Sequence, residues 1–231
     1  MKSFPGRSSR DPDRTFRLTS TDATTMFFPV DETTRRKAKT PHELAMVNLI
    51  VFNLMIGVAL LAGSMAEPDS MIGRYKWLAV SIPLALSLVL IGVTWMRSRQ
   101  RGKNTSWFAA AHWRLAASRY RLIVIAYLVC AAILSIALIG KPDETEIAAQ
   151  LRTLPPAMQE MERHKIESQD MASAIWARIG VVPLLLAVMV TIMLESGALY
   201  QAGRGELPDA LVARCPPPEG LVGSETEPPV A

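Results

Sequence analysis

The sequence predicts an all-α, polytopic integral membrane protein with four transmembrane helices and both termini in the cytoplasm. Three observations carry this. Half of the 231 residues are hydrophobic, yet only 6% are aromatic. The apolar residues, mostly Leu, Ile, Val, Ala and Met, are gathered into four blocks, each long enough for a hydrocarbon core about 30 Å thick, which takes about 20 residues. Between the blocks the chain is strongly polar, as expected for helices that satisfy their own backbone groups in lipid. The third observation is the stretch 97–121, which carries Arg97, Arg99, Arg101, Lys103, Arg114, Arg119 and Arg121 and no acid. A cationic connection between two apolar blocks reads as a cytoplasmic hairpin.

Residues 1–40 read as a disordered cytoplasmic tail, rich in Ser, Thr, Arg, Asp and Pro and without sustained periodicity. The tail ends in Arg35, Arg36, Lys37 and Lys39, a topogenic anchor before the first span. Thr40, Pro41 and Glu43 suit N-cap, N1 and N3 of a helix. The first span is placed at 45–66, and Ala59 and Gly63 within it would let another backbone approach closely.

After a short polar loop, Trp77 marks an interface and the second span runs over 77–96. Pro83 is expected to loosen this helix, and Trp95 to anchor its other end. The basic elbow covers 97–119, with a turn at Gly102 and an N-cap at Thr105. From Trp107 to Leu115 a helix is expected at the membrane interface, with Phe108, Ala111, Leu115 and Ser118 on one face. Trp107, His112, Trp113, Arg114, Arg119 and Arg121 are its expected interfacial, lipid-contacting residues. The helix continues into a third span at 120–140.

Segment 141–172 holds seven acids and four bases. A capping box at Asp143–Glu146 would open a short amphipathic helix, which Pro155 and Pro156 stop. The stretch from Ala157 is rich in helix formers and is expected to run as one helix into the fourth span, 173–200. Residues 201–231 read as a second disordered cytoplasmic tail. The Lys/Arg excess lies before span one and between spans two and three. Both termini are therefore expected inside and 141–172 outside, with a bacterial inner (plasma) membrane as the location.

The net charge of +4 is concentrated on the inner side, where it meets anionic headgroups, and no nucleic-acid partner is expected. Cys130 lies in an apolar block and Cys215 in the tail, so no disulfide framework is indicated. The first 30 residues hold only Met26-Phe27-Phe28 as an apolar cluster, too short for a cleavable signal.

No catalytic motif is present, and the expectation is a non-enzyme without cofactor or metal. His42-Glu43 is half of a zinc-protease helix and lacks the second histidine. No histidine pair lies within a span to hold haem. Four polar residues in the apolar blocks are the candidates for function or helix packing: Asn48, Asn53, Arg178 and Glu195. Glu195 is the most informative, because a carboxylate at membrane depth is costly; its ordinary role would be an ion pair at the inner interface with an arginine of the hairpin, such as Arg97 or Arg121. Arg178 is expected to snorkel. Asn48 and Asn53 are separated by about 140° on an α-helix and so should not share a face; interhelical hydrogen bonding is the expected role.

The function expected is that of a non-catalytic accessory or assembly subunit of a larger membrane complex, of secretion, conjugation or respiratory type, with protein partners or as a homo-oligomer. The alternative is a small transporter or channel component using Glu195 and Asn53.

Overall fold

A computed structural model describes residues 25–66, 70–100, 106–138 and 153–226. The expectations for the tail 1–24, the turn at Gly102, the cap at Thr105 and the helix from Asp143 lie outside the described residues. The protein is mostly helical. Helix α1 (Glu32–Val47), a π-helical turn (Asn48–Asn53) and α2 (Leu54–Met65) form one continuous rod, followed by α3 (Met71–Arg99), α4 (Trp107–Leu138), α5 (Pro156–Arg204) and the short α6 (Asp209–Arg214). Strand β1 (Thr25–Phe27) pairs antiparallel with β2 (Glu206–Pro208).

Four helices among the described residues are long and apolar enough to cross a membrane: Glu32–Met65, Met71–Arg99, Trp107–Ile136 and Arg178–Arg204. Large apolar side chains such as Val58, Trp77, Leu78, Val89, Leu128, Leu186 and Met193 remain exposed around the bundle. In water such a surface would be an association hazard; in lipid it is the ordinary outer face of a span.

The first helix begins earlier than the sequence suggests. Thr40 is not its N-cap: the helix starts at Glu32, and Pro41 lies inside it, buried. Its buried positions Ala38, Pro41, His42 and Ala45 keep three- and four-residue spacing, so the polar composition hides an amphipathic helix. Asp31 precedes the first turn. Hydrogen bonds from Thr33 and then Thr34 hold its exposed carboxyl below the usual carboxylate range. Likewise α3 begins at Met71, with the Ser70 hydroxyl accepting from the Gly73 N–H at 3.0 Å, six residues before Trp77.

The interfacial helix and the third span are a single helix, α4, whose first turn is held by Ser106 through Ala110 N–H at 3.0 Å. Its buried face follows Phe108, His112, Ala116, Tyr120, Ile123 and Cys130. Ser118 is exposed and Leu115 only half-buried. The face expected from Phe108, Ala111, Leu115 and Ser118 is thus rotated, and His112 turns inward instead of toward headgroups.

Helix α5 starts at Pro156 and runs unbroken to Arg204, through Pro183. Its first 17 residues, 156–172, add about 26 Å of helix ahead of the fourth apolar block at 173–200. Gly205, at φ +80°, ends it in the left-handed conformation that a side chain disfavours.

The segment after 201 is not wholly irregular. It returns to pair with residues 25–27, and Phe27 also bridges to Ser224. Phe28, Ala38, Phe108, Ala109, Ala111, Ala202 and Leu207 form one apolar cluster there. The second, larger cluster includes Leu49, Ile91, Tyr120, Ile123, Leu184 and Val188 in the bundle interior. The start of α1, the end of α5, the junction of α3 with α4 and both strands therefore lie at one end of the bundle.

Close helix approach occurs at Gly57, where an added Cβ would stand 2.6 Å from Leu185 Cδ2. At Gly63 it would meet Lys76 Cβ at 3.1 Å. The small-residue expectation at Gly63 is matched by a neighbour on α3, while the tighter approach, Gly57 to α5, lies outside the Ala59/Gly63 pair.

Candidate functional site

The spacing of α1, α4 and α5 brings His42, His112 and Glu195 together inside the bundle. Glu195 belongs to the stripe Val181, Leu184, Val188, Thr191, Glu195, Ala198 and Ala202, which buries every third or fourth residue of α5. It is 1% exposed, and both histidines are 0% exposed.

His42 occupies the centre. Its Nδ1 is 2.5 Å from Glu195 Oε2, and its Nε2 is 2.9 Å from His112 Nδ1. The two rings meet edge to face, with centroids 5.1 Å apart. With Glu195 ionised, its carboxylate only accepts, and His42 Nδ1 then carries the proton toward it. With His42 neutral, its Nε2 then accepts from His112 Nδ1–H, which leaves a lone pair on His112 Nε2. That nitrogen is buried and makes no hydrogen bond, although the Glu206 main chain lies beside the ring.

The second carboxylate oxygen faces Arg119, whose guanidinium is 3.5 Å from Glu195 Oε1 and donates to the Leu194 carbonyl at 2.7 Å. Oε1 itself accepts no hydrogen bond. The hairpin arginine that pairs with Glu195 is thus Arg119, not Arg97, which lies over Trp113, or Arg121, which is exposed. The pair is an interior contact of the carboxylate, and two histidines complete it. A buried carboxylate is tolerated only when neutralised and hydrogen-bonded, and Arg119 and His42 supply those conditions.

A second polar cluster lies deeper. Asn53 Nδ2 donates toward Asn48 O at 3.0 Å, Asn48 Oδ1 at 3.3 Å and Ser87 Oγ at 3.1 Å. Tyr127 OH donates to Asn53 Oδ1 at 2.5 Å and lies 2.8 Å from Ser87 Oγ. Asn48 Nδ2 donates to Tyr120 OH at 3.2 Å. The expectation that Asn48 and Asn53 cannot share a face is overturned. Residues 48–53 are π-helical, so the turn closes over five residues instead of four and returns residue 53 to the side of residue 48. The amides join the first rod to α3 and α4, which is the interhelical role.

The remaining candidates fall elsewhere. Arg178 is exposed on α5, and Arg121 is exposed on α4. Trp113 is half-buried beneath the Arg97 guanidinium, 5.9 Å from the ring centre. Trp107 Nε1 donates to the Cys215 carbonyl at 3.0 Å, and Arg114 contacts Cys215 Sγ at 2.7 Å. These two residues hold the C-terminal segment, and His112, expected among the lipid contacts, is fully enclosed. Trp95 Nε1 donates to the Ala117 carbonyl at 3.0 Å.

Sequence reasoning did not find Ser87, Tyr120 and Tyr127. The available signal was polar side chains at helical spacing along α4, His112, Tyr120 and Tyr127, inside apolar surroundings. Among the described residues no group of three His, Cys, Asp or Glu side chains has the geometry to hold a metal. Compared with known proteins, the chain matches no family model, no curated protein and no solved structure.

Proposed function

We propose that this chain handles protons within a membrane, as a small four-helix transporter or channel component, placed in a bacterial inner membrane with both termini cytoplasmic. The observation that supports the reading is the unbroken hydrogen-bonded order His112–His42–Glu195 in the interior of the bundle. Each imidazole has one nitrogen to receive a proton and another to release one. A proton arriving at His112 Nε2 frees the proton on His112 Nδ1 to pass to His42 Nε2. The proton on His42 Nδ1 then passes to Glu195 Oε2. The net result is one proton moved from His112 to Glu195, with both rings returned to neutral. Arg119 faces the other carboxylate oxygen at 3.5 Å. The orientation is supported by the Lys/Arg excess around 97–121, at the same end as the described terminal segments.

The test is proton flux into liposomes holding the purified protein, driven by a potassium diffusion potential and read by a lumenal pH dye. The wild-type protein acidifies the lumen and Glu195→Gln does not, at equal incorporation. Equal rates for the two proteins would sink the proposal.

A second reading, an accessory subunit of a larger membrane complex, is favoured by one observation. Helix α5 begins at Pro156, 17 residues ahead of the fourth apolar block at 173–200. Under that reading Glu195→Gln leaves flux unaffected and releases a co-purifying subunit in mild detergent.

A further inference from the structure

We infer that His112 Nε2 is a proton-exchange port closed by the chain's own terminal segments, with the β1–β2 ribbon and Phe28 as a lid that must lift before the relay connects to the aqueous side. The inference rests on the relay reading for its purpose and adds where the relay opens and what regulates it.

The observations come from three layers. First, His112 Nε2 is buried, makes no hydrogen bond of ordinary geometry and has the Glu206 main chain beside its ring. In the relay it must exchange protons with something outside, and no described side chain offers an exchangeable partner there.

Second, Phe108 of α4 caps the ring directly, and the layer over Phe108 comes from the chain ends. Phe108 stands edge to face on His112, with centroids 4.8 Å apart. Phe28 covers Phe108 at 6.5 Å and Trp107 at 5.0 Å. The Phe28 N–H donates to the Gly205 carbonyl at 2.9 Å, and Leu207, fully buried, completes the same cluster. The Glu206 main chain lies beside His112. The cover is therefore residues 25–28 clasped to 205–207.

Third, this cover is of a kind that opens. A ribbon of three residue pairs is not stable alone. It stays in place through Phe28 and Leu207, and such small units open locally without unfolding the helices beneath. His42, by contrast with His112, has both nitrogens engaged inside the bundle and exchanges only through its neighbours.

The test locks the lid and measures chemical access to the ring. Met26 and Leu207 are paired in register, at a separation that suits a disulfide between antiparallel strands. The full-length Met26→Cys/Leu207→Cys protein in lipid nanodiscs is treated with diethyl pyrocarbonate, which carbethoxylates unprotonated imidazole nitrogens. Labelling of each histidine is followed by peptide mass spectrometry, comparing oxidised and reduced forms of the same protein. Oxidation is expected to slow labelling of His112 by about tenfold or more, while His164, exposed on α5, labels equally in both forms. Thr25→Cys/Pro208→Cys, the neighbouring pair, repeats the lock should the first variant fail to fold. Phe28→Ala in the otherwise unaltered chain is expected to speed His112 labelling. Equal His112 labelling in oxidised and reduced forms overturns the port, as does a Phe28→Ala protein that labels no faster. If the lock works and Glu195→Gln still conducts, the port stands and the relay falls.

Discussion

Glu195 Oε2 lies 2.5 Å from His42 Nδ1, across 153 positions of sequence. That contact ties the first rod to the last, and the proposed proton relay depends on it. It also sets a stability expectation. Breaking a buried pair by removing one partner costs about 3–5 kcal/mol, because the remaining group stays buried without its neighbour. Glu195→Ala is therefore expected to lose about that much in reversible detergent unfolding. Glu195→Gln keeps shape and hydrogen-bonding ability and should lose less. A Glu195→Ala protein as stable as wild type would show that the contact is not formed in the bilayer.

Asn53 gives a second expectation. Its amide spans α3, α4 and its own rod, and membrane hydrogen bonds of this kind contribute about 0.6–2 kcal/mol. Asn53→Ala should cost about 1–2 kcal/mol in the same unfolding assay. Ser87→Ala, which deletes one partner of the network, should cost less. Their double variant should fall short of the sum, since the two share a bond.

The Asn53 network also marks how far the residues could be read in advance. Four spans, the continuous helix through 120 and the helix running from 157 into the last span follow from apolar block length and helix-forming composition. The sharing of one face by Asn48 and Asn53 does not, because a π-turn is a departure from the period on which that reading rests. The start of α1 was hidden for a different reason. Arg35, Arg36, Lys37 and Lys39 look like a solvated tail until Ala38, His42 and Ala45 are seen to be buried together. His112 was placed at the lipid surface because aromatic and cationic neighbours imply an interface. Its inward turn depends on a rotation of about 100° about the axis of α4, which composition does not determine. The β1–β2 pairing joins segments nearly the whole chain apart and leaves no local sign.

Gly57 gives a third expectation. A Cβ there would stand 2.6 Å from Leu185 Cδ2. Leu185 is the end of a flexible side chain, so alanine is accommodated by a rotamer shift at small cost. Valine has nowhere to go, and Gly57→Val should cost about 1–3 kcal/mol and weaken the packing of the first rod on α5. Thermal inactivation of nanodisc-embedded protein would read it, with Gly92→Val as the control, because nothing lies within 4 Å of a Cβ at Gly92.

Gly205 gives a fourth. At φ +80°, with a Cβ due 2.9 Å from the Phe28 carbonyl oxygen, it tolerates no side chain without strain, typically about 1–3 kcal/mol. Gly205→Ala should leave the spanning helices intact by circular dichroism and loosen the ribbon. Faster amide hydrogen exchange at residues 25–28 and 205–208, with unchanged exchange in α4, is the expected pattern.

The most direct test of the relay is to observe its protons. In protein with nitrogen-15 histidine, reconstituted in lipid bilayers, solid-state proton–nitrogen correlation spectra resolve each ring nitrogen. One proton correlated with both His42 Nε2 and His112 Nδ1 is expected, together with a strongly deshielded proton on His42 Nδ1 that shifts in Glu195→Gln. Two histidines with separate, freely water-exchanging ring protons, unaffected by that substitution, would contradict a continuous path from His112 to Glu195.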